Sequence, residues 1–448
     1  MSRLSDQIQN VPKLVVATKP RAAKSFKQKT THYFHYEAKG HDELPHVMKF
    51  SGGRSSGMLL FTLLKNGILN AKRGDVVIFN NTSAEHPKTY EFTKKCKEIV
   101  EKQYGIPFYW AEFQTYEDAK GGRWGRVPSY RLVKPVPWSP DEPDGYHWKG
   151  EVFEEMLSWS GYVPNQFQRV CTKQLKLETT RAFLMDWFAC KDKIDRLGHH
   201  GDSSRITSDD AFASHQKHHG QVPREIFLRK KSYVHSRPLF RPEQYFKDFS
   251  CFTDIDNPVL EGKQYGNNAF FGRGGVEYIA FIGLRFDEMR RVIKVRRRNS
   301  EGPESDGYQG EHVYIPLAGM GVSREDINDF WDSQEWDLDL PKDSALSNCV
   351  YCFLKGVNNL EQVHQHMQSS DGELKNSPCD IGWWKRMEDS YGRNLVDEKR
   401  EIRSKVKNNF IGFFGTQSGF SYDLLTKISG SKKISDFSNT VLPCDCTD

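Results

Sequence analysis

The fold of this chain is decided by one stretch of sequence, Ser51-Gly52-Gly53-Arg54-Ser55-Ser56-Gly57. Residues 47–50 before it are strand-like, and residues 58–64 after it are continuously apolar, long enough for a buried helix. Strand, glycine-rich turn and helix in this order direct free backbone N–H groups and a helix N-terminus at one point. Gly52 and Gly53 allow a close backbone approach, while Arg54 and the serine hydroxyls add charge and donors. The stretch predicts a phosphate-binding loop, with a ligand-free βα turn as the alternative.

The alternation of strand and helix continues after this loop. The predicted elements are a strand at 47–51, a helix at 56–66, a strand at 75–81, a helix at 87–104, a strand at 107–113, a helix at 172–188 and a strand at 278–285. This order predicts an α/β fold with a doubly wound parallel sheet, whose ligands bind at the carboxyl ends of the strands. Further along, Ser323 followed by Asp326 predicts a capped helix start.

The length of 448 residues exceeds that of a usual single domain. It predicts either one large domain with insertions or two domains. Residues 1–45 are polar and are interpreted as an N-terminal arm. Residues 46–300 form the predicted α/β domain, with insertions at 114–168 and 195–270. Residues 301–448 are predicted to be a smaller helical region that contains a Cys-x-x-Cys motif and a basic tail.

Composition limits the classes of protein that this chain can be. Hydrophobic residues make up 37% and aromatic residues 13%, enough for a sizeable core. The net charge of +5 is compatible with anionic ligands or nucleic acid and is diagnostic of neither. The sequence has no apolar run near the ~20 residues of a membrane helix and no signal-peptide core. Nine cysteines without a regular framework indicate reduced thiols or metal ligands, and we expect a cytoplasmic protein.

Four further patches accompany the loop. They are Thr82-Ser83-Ala84-Glu85-His86-Pro87-Lys88-Thr89, Arg169-Val170-Cys171-Thr172-Lys173-Gln174-Leu175-Lys176, Tyr278 to Arg285 with Asp287, Glu288, Arg290 and Arg291, and Asn348 to Gly356. Together with the loop they cover roughly half of the chain, and they resemble the PP-loop ATP pyrophosphatase superfamily in its phosphoadenosine phosphosulfate (PAPS) reductase-like branch. The resemblance implies an adenine nucleotide alpha hydrolase-like fold. One departure is Ser55, which stands where many members carry Asp.

The resemblance implies a site for ATP, or for a sulfonucleotide such as PAPS, with Mg²⁺. The implied nucleotide-binding residues are Ser51, Gly52, Gly53, Arg54, Ser55, Ser56, Asn81, Thr82, Glu85, Lys173, Lys176, Arg285, Arg290 and Arg291. Four residues would be catalytic, namely Arg54, Ser55, Glu85 and Lys176. In this reading Arg54 stabilises charge on the leaving pyrophosphate and Glu85 positions Mg²⁺ or the ribose. Lys173 and Lys176 would reach the phosphates.

Cys349 and Cys352 form the second chemical signal. A lone Cys-x-x-Cys is incomplete as a structural zinc site, and residues 340–356 lack the βαβ context of a thioredoxin-like motif. The resemblance adds Cys171 and implies a [4Fe-4S] cluster, as in iron–sulfur-dependent sulfurtransferases such as the DNA phosphorothioation component. Cys379 is a candidate fourth ligand. Zinc, or simply buried reduced thiols, remain the alternatives.

The function implied by these features is an enzyme that adenylates an acceptor with ATP, releases pyrophosphate and installs sulfur. DNA or RNA is the expected acceptor by analogy, and a cysteine desulfurase or another donor would supply sulfur. One alternative is a PAPS reductase, although the Glu-Cys-Gly-Leu-His ending of thiol-dependent members is absent. Another is a catalytically silent nucleotide-sensing or nucleic-acid-binding component of a larger complex, for example in phage defence.

Two further segments carry open interpretations. The basic run from Arg285 to Arg298 is interpreted as phosphate contacts, as a nucleic-acid track or as a solvated helix face. Segment 114–168 is interpreted as a long loop or insertion, rich in tryptophan and proline, that forms a lid or wall over the strand ends. There Arg123, Arg126 and Arg131 would bind phosphates while the tryptophans stack on a base. The alternative is that the tryptophans only pack the insertion against the hydrophobic core.

Overall fold

The structure is a computed structural model, and it describes residues 36–118, 125–188, 276–301, 310–342, 345–368, 372–394, 410–416 and 418–437. Most of the predicted arm and the whole predicted insertion at 195–270 lie outside the described residues. None of the helices in the described ranges is long and apolar enough to cross a membrane.

The described chain is built on a seven-stranded sheet with the order β5-β4-β3-β2-β1-β6-β7. The strands are β1 (His46–Phe50), β2 (Val76–Asn81), β3 (Phe108–Asp118), β4 (Gly125–Pro137), β5 (Gly145–Tyr146), β6 (Tyr278–Ile282) and β7 (Glu311–Tyr314). All neighbours are parallel except β3 and β4, which are antiparallel. The predicted α/β class with a mostly parallel sheet is therefore confirmed.

Helices cover this sheet and form the region that follows it. They are α1 (Arg54–Lys65), α2 (Pro87–Tyr104), α3 (Glu151–Ser160), α4 (Thr179–Phe188), α5 (Met289–Glu301), α6 (Pro316–Gly319), α7 (Arg324–Asp332), α8 (Val357–Met367), α9 (Ile381–Tyr391) and α10 (Tyr422–Ile428). A short ribbon pairs β8 (Arg393–Asn394) with β9 (Phe410–Ile411). The predicted cap of α7 is confirmed, because Ser323 and Asp326 form a complete capping box.

The strands are apolar on both faces, as a sheet covered on both sides requires. On β1, Met48 and Phe50 belong to the larger hydrophobic cluster, whereas Val47 belongs to the smaller one on the opposite face. The larger cluster contains apolar residues of α1 and α2, and the smaller one contains those of α4, such as Phe183 and Trp187. The two-residue period of the strands thus separates two layers of core.

The order of the strands creates a switch point beside β1. The chain builds β2 and β3 on one side of β1 and later returns to build β6 and β7 on the other side. In such sheets the crevice for a ligand lies at the carboxyl ends of the two strands where the order reverses. That crevice lies between the loop after β1 and the turn after β6. A Cβ atom on Gly283 of that turn would lie 3.0 Å from the backbone of Ser56, so the two loops are in close contact.

Segment 114–168 differs from the predicted long loop. Strand β3 continues to Asp118, β4 returns beside it, and α3 follows. Arg131 lies on β4 with its side chain 5% exposed, 3.7 Å from the carboxylate of Glu112, and it donates to backbone carbonyls at 143 and 145. It is therefore unable to hold a phosphate at the surface. Arg123 and the side chain of Arg126 lie outside the described part of the chain.

The region after residue 310 shares the larger hydrophobic cluster with the sheet. Trp331 of α7 packs edge-on against Phe92 of α2 and Phe61 of α1. Trp384 of α9 likewise meets Phe153 of α3. The predicted C-terminal helical region is consequently joined to the α1 face of the sheet by a continuous apolar core.

A buried carboxyl group fastens the last segment to this region. Glu388 of α9 is 4% exposed and accepts hydrogen bonds from the N–H groups of Phe413, at 3.0 Å, and Tyr422, at 3.4 Å. Burial raises the pKa of Glu388 to about 7, and Asp389 and Asp423 add to that effect. The folded state therefore holds this proton more tightly than the unfolded state does.

Glu388→Gln is expected to flatten the pH dependence of stability. Because the pKa of Glu388 rises from 4.5 to about 7 on folding, the free energy of unfolding should fall as pH rises through this interval. The fall is at most about 3 kcal/mol. Gln keeps one acceptor and has no proton to lose, so the variant should be the more stable protein above neutral pH. Urea unfolding between acid and neutral pH measures this, with Glu335→Gln, which neutralises an exposed carboxyl group that does not act on Glu388, as the control. Parallel curves for Glu388→Gln and the wild type would contradict the assignment.

Candidate active site

The loop after β1 adopts a conformation that requires glycine. Gly52 has a φ of 80°, and a Cβ atom there would lie 2.6 Å from Cγ2 of Thr89. The hydroxyl of Ser56 donates to the carbonyl of Gly53 at 2.9 Å and accepts from the N–H of Ser51 at 3.2 Å. The loop is thus folded over the start of α1 and fixed by one of its own hydroxyls.

No described side chain caps the N-terminus of α1. Gly53 is the N-cap residue in an extended conformation, and it has no side chain to accept a hydrogen bond from the first turn. The first N–H groups of a helix have no partner within the helix, and the helix dipole favours negative charge there. The predicted loop therefore has the backbone geometry of an anion site.

Arg285 brings positive charge to the same place. It follows β6, is 7% exposed, and its Nη1 donates to the hydroxyl of Ser55 at 3.2 Å. Its Nε donates to Asp287 at 3.0 Å, and its backbone N–H donates to Glu288 at 2.9 Å. Arg291 pairs with the second oxygen of Glu288 at 2.5 Å. A strongly held guanidinium group thus contacts the loop across the switch point.

Arg54 is oriented differently from the prediction. Its Nε and Nη2 donate to the two oxygens of Asp337 at 2.7 and 2.5 Å, and Nη2 also donates to the carbonyl of Leu340. The side chain therefore ties the loop to residues 337–340. The expectation that it faces a leaving pyrophosphate is not met in this structure, because its two-pronged donor face is already occupied by a carboxylate.

A polar pocket opens beside the loop, between α1 and α7. Its lining includes Arg54, Ser55, Arg285, Arg324, Lys342 and Ser347. Four of its eleven lining residues are cations, which suits an anionic group, although Arg54, Arg285 and Lys342 also pair with carboxylates of the protein. Sequence reasoning missed Arg324 and Lys342, because they are far from the loop in the sequence and match no motif.

We expect Arg54→Gln and Asp337→Asn to affect nucleotide affinity and stability in the same way. If Arg54 acts only by holding the loop to residue 337, either change should lower the melting temperature and weaken ATP binding, and the double variant should resemble the weaker single one. Calorimetry and thermal unfolding of the four proteins measure this coupling. Loss of binding in Arg54→Gln with normal binding in Asp337→Asn would instead show that Arg54 contacts the phosphates.

Asn81 at the end of β2 lies inside the protein. Its amide donates to Glu112 at 2.8 Å and to the carbonyl of His147 at 2.7 Å, and its oxygen accepts from the N–H of Ser83. Asn81 is fully buried. The predicted nucleotide contact is therefore replaced by a structural role, in which Asn81 shapes the turn after β2.

Glu85 is also held within the turn after β2. Its carboxylate accepts from the hydroxyl of Thr82 at 2.7 Å, from the N–H of Ala84 at 3.2 Å and from the hydroxyl of Tyr90 at 3.1 Å. Glu85 is 2% exposed. A carboxylate with three donors inside the protein differs from the predicted ligand of Mg²⁺ or ribose, because both of its oxygens are already satisfied.

The Cys-x-x-Cys motif packs against the turn after β2. Glu85 and Cys349 form an antiparallel bridge, and the N–H of Val350 donates to the carbonyl of Ala84 at 2.9 Å. The hydroxyl of Thr82 lies 3.4 Å from Sγ of Cys349. The motif therefore lies at the carboxyl end of β2, which is the strand next to β1 in the sheet.

Cys171 joins this pair from a different element. It precedes a π-helical turn, Thr172–Glu178, which runs into α4. The charge of Cys352 acts on the pKa of both Cys171 and Cys349, so the three thiols lie within electrostatic reach of one another. All three are free and partly buried. Their joint ligation of one cofactor, which the resemblance implies, stays a prediction.

Cys171 and Cys349 are protonated at neutral pH. Burial raises the pKa of Cys171 to about 11, with a contribution from Cys352, although Arg169 and Lys176 act in the opposite direction. Burial also raises the pKa of Cys349, and the carboxylate of Glu85 adds to the shift. A thiol is a weak nucleophile, whereas a bound metal drives off the proton. These environments suit metal ligation better than direct thiolate chemistry.

Cys379 has different surroundings from the other three. It is buried near the start of α9, and burial raises its pKa to about 12. The charges that act on it are those of Lys355 and Glu85. Its candidacy as a fourth ligand stays a prediction.

The π-helical turn decides where the two predicted lysines lie. Lys176 is half-buried and its charge acts on Cys171 and Cys349, whereas Lys173 is exposed. A π turn shifts the residues after it around the helix axis, and such turns are frequent at functional sites. The sequence pattern indicated a plain helix at 172–188, because a single widened turn leaves the apolar spacing nearly unchanged.

The described residues contain no group of three or more His, Cys, Asp or Glu side chains arranged around a single metal ion. Four-coordinate zinc would hold its sulfur ligands at about 2.3 Å from one centre, which demands a tighter arrangement than a multi-iron cluster does.

Comparisons with models of protein families, with curated proteins and with solved structures found no match to this chain.

Proposed function

We propose that this protein is a PP-loop enzyme that binds the phosphates of ATP at residues 51–56 and installs sulfur into an acceptor activated by adenylation. The proposal is carried by one observation, the contact of Arg285 with Ser55 across the switch point. There an open helix N-terminus, a glycine-requiring loop and a buried guanidinium group meet, and a polyanion is the ligand that this combination favours.

The chain's own groups would act on the leaving phosphate. An acceptor oxygen attacks the α-phosphorus of ATP, the bond between the α- and β-phosphates breaks, and pyrophosphate leaves with the negative charge. Donors that are already oriented stabilise such developing charge at little reorganisation cost. The loop N–H groups and Arg285 would do so, with Arg54 holding the loop in place. In the second half-reaction, a sulfide displaces AMP from the activated acceptor, so that the acceptor gains a bond to sulfur and loses its bond to the oxygen that leaves on AMP.

The three clustered cysteines would hold the sulfur-bearing cofactor. Cys171 comes from one segment and Cys349 and Cys352 from another, all three are free, and Cys349 lies beside the turn after β2. A bound metal would drive the protons off these thiols. A [4Fe-4S] group bound there would supply the sulfur, with a cysteine desulfurase or another donor replenishing it. Lys176 would balance the negative charge of the ligands.

Mg²⁺ would arrive with ATP. The carboxylate of Glu85 is buried and already accepts three hydrogen bonds, so it does not fit a resident Mg²⁺ site. Mg²⁺ keeps several waters and is commonly held through substrate phosphates, which agrees with binding as a complex with the nucleotide.

A silent nucleotide sensor is the second candidate. Ser55 replaces the acidic residue that the resemblance leads one to expect, and Arg54 is occupied by Asp337. A loop of this kind would bind nucleotide without cleaving it. The alternative of a PAPS reductase is less favoured, because this sequence lacks the Glu-Cys-Gly-Leu-His motif of the thiol-dependent members.

Pyrophosphate release from ATP tests the proposal. Anaerobically prepared protein should release pyrophosphate and AMP when DNA or tRNA is supplied, and should incorporate sulfur into that polymer. Gly52→Val should abolish both, because its side chain would collide with Thr89. ATP binding without pyrophosphate release, under all of these conditions, would favour the sensor. Oxidation of thioredoxin with PAPS would favour the reductase.

A further inference from the structure

Helix α5 presents a strongly basic outer face. Its 13 residues include six cations, and Glu301 is its only acidic residue. At 3.6 residues per turn, Arg290, Lys294 and Arg297 lie within about 60° of one another around the axis. All three are exposed, whereas Val292 on the opposite side is buried in the protein.

Three further cations of α5 interact with carboxylates of the protein. Arg291 pairs with Glu288 at 2.5 Å, and Arg298 pairs with Glu311 at 3.1 Å. The charge of the exposed Arg296 acts on Glu37. Arg290, Lys294 and Arg297 form the exposed outer row of the helix.

The outer row starts beside the nucleotide loop. Arg290 is five residues after Arg285, whose guanidinium group contacts Ser55, so the two Cα atoms are at most about 18 Å apart. From Arg290 to Arg297 the helix rises about 10 Å. That distance covers about three phosphates of a nucleic-acid strand at 3.4 Å of rise each.

Two exposed apolar side chains flank this row. Met289 is 44% exposed and Ile293 is 57% exposed, and they lie one turn apart on the same edge of the helix. Exposed apolar side chains beside cations can lie against the sugars and bases of a nucleic acid while the cations bind its phosphates.

We infer that the outer face of α5, made of Met289, Arg290, Ile293, Lys294 and Arg297, binds the phosphodiester backbone of a nucleic acid and leads it to the nucleotide loop. This inference rests on the proposed function, since it identifies the acceptor that the loop would activate. The cations bind phosphates without reading sequence, so the face orients the polymer and leaves selectivity to other contacts.

Fluorescence anisotropy with three labelled polymers tests this inference. A DNA duplex, a DNA single strand and a tRNA are each titrated with wild type and with Arg290→Gln/Lys294→Gln/Arg297→Gln, over a series of salt concentrations. The matched control is Lys72→Gln/Lys94→Gln/Lys102→Gln, which removes the same charge from exposed positions elsewhere. The polymer bound most tightly by the wild type identifies the class of acceptor.

The α5 variant should lose at least about tenfold in affinity, and its slope of log K against log salt should fall by about 2 to 3, since each phosphate contact contributes about 0.9. Met289→Ser/Ile293→Ser should weaken binding and leave the slope unchanged. Equal losses in the α5 variant and the control would overturn the inference, and so would wild-type binding to polyglutamate as tight as to the nucleic acids. ATP calorimetry on the same proteins keeps this result separate from the proposed function, because the loop can bind ATP whether or not α5 binds a polymer.

Discussion

Arg285→Ala is expected to weaken ATP binding about 100-fold, which corresponds to the loss of about 3 kcal/mol from charge-assisted hydrogen bonds. Arg285 is buried against the loop and donates to Ser55, so its loss removes a guanidinium group that contacts the loop directly. Calorimetric titration of ATP into the folded variant measures the change. Arg285→Lys should recover only part of the affinity, because an ammonium group lacks the two-pronged geometry of guanidinium.

The control for this prediction is Arg296→Ala, an exposed cation on the helix that follows Arg285. It removes the same formal charge and should leave ATP affinity within about twofold of the wild type, since exposed charges are largely screened by salt. If circular dichroism shows that Arg285→Ala is folded and its affinity for ATP is normal, the phosphates do not bind at the switch point, and the proposed nucleotide site is wrong.

Cys171→Ser, Cys349→Ser and Cys352→Ser should each remove most of the iron and sulfide from anaerobically purified protein. The wild type should be brown and absorb broadly near ~400 nm, as iron–thiolate centres do. Because burial raises the pKa of Cys171 and of Cys349, ligation must release protons from them, and we expect cofactor assembly to become more complete as pH rises. Iron and sulfide analysis, together with the visible spectrum over a pH series, measures both effects. ATP affinity should be retained in all three variants.

Cys96→Ser is the matched control, since Cys96 is fully buried within α2. Cys379→Ser decides whether a fourth thiol takes part: loss of iron would make it a ligand, and retention would leave it as a core residue. A colourless wild-type protein with stoichiometric zinc would refute the iron–sulfur assignment, and so would full iron content in the triple serine variant.

The sequence by itself determined the elements that depend on local conformation. The strand, turn and helix around Gly52 follow from a backbone that only glycine adopts and from apolar residues on both sides of it. The start of α7 follows from Ser323 and Asp326, which satisfy each other's backbone donors within one turn. Strands β1, β2 and β6 follow from short apolar runs whose length suits a sheet covered on both faces.

Tertiary structure alone decided what the side chains of the site contact. Arg54 lies 283 residues from Asp337, and no local pattern indicates that a carboxylate would occupy it. Asn81 stands at the strand end where ligands usually bind, yet its side chain lies inside the protein, where it donates to Glu112 of the neighbouring strand. The physical reason is that backbone preferences act over a few residues, whereas a side chain's partner is set by whichever distant segment the core brings beside it. The proximity of Cys171 to Cys349 and Cys352 has the same origin, since two segments far apart in the sequence must pack together before their thiols can act on one another.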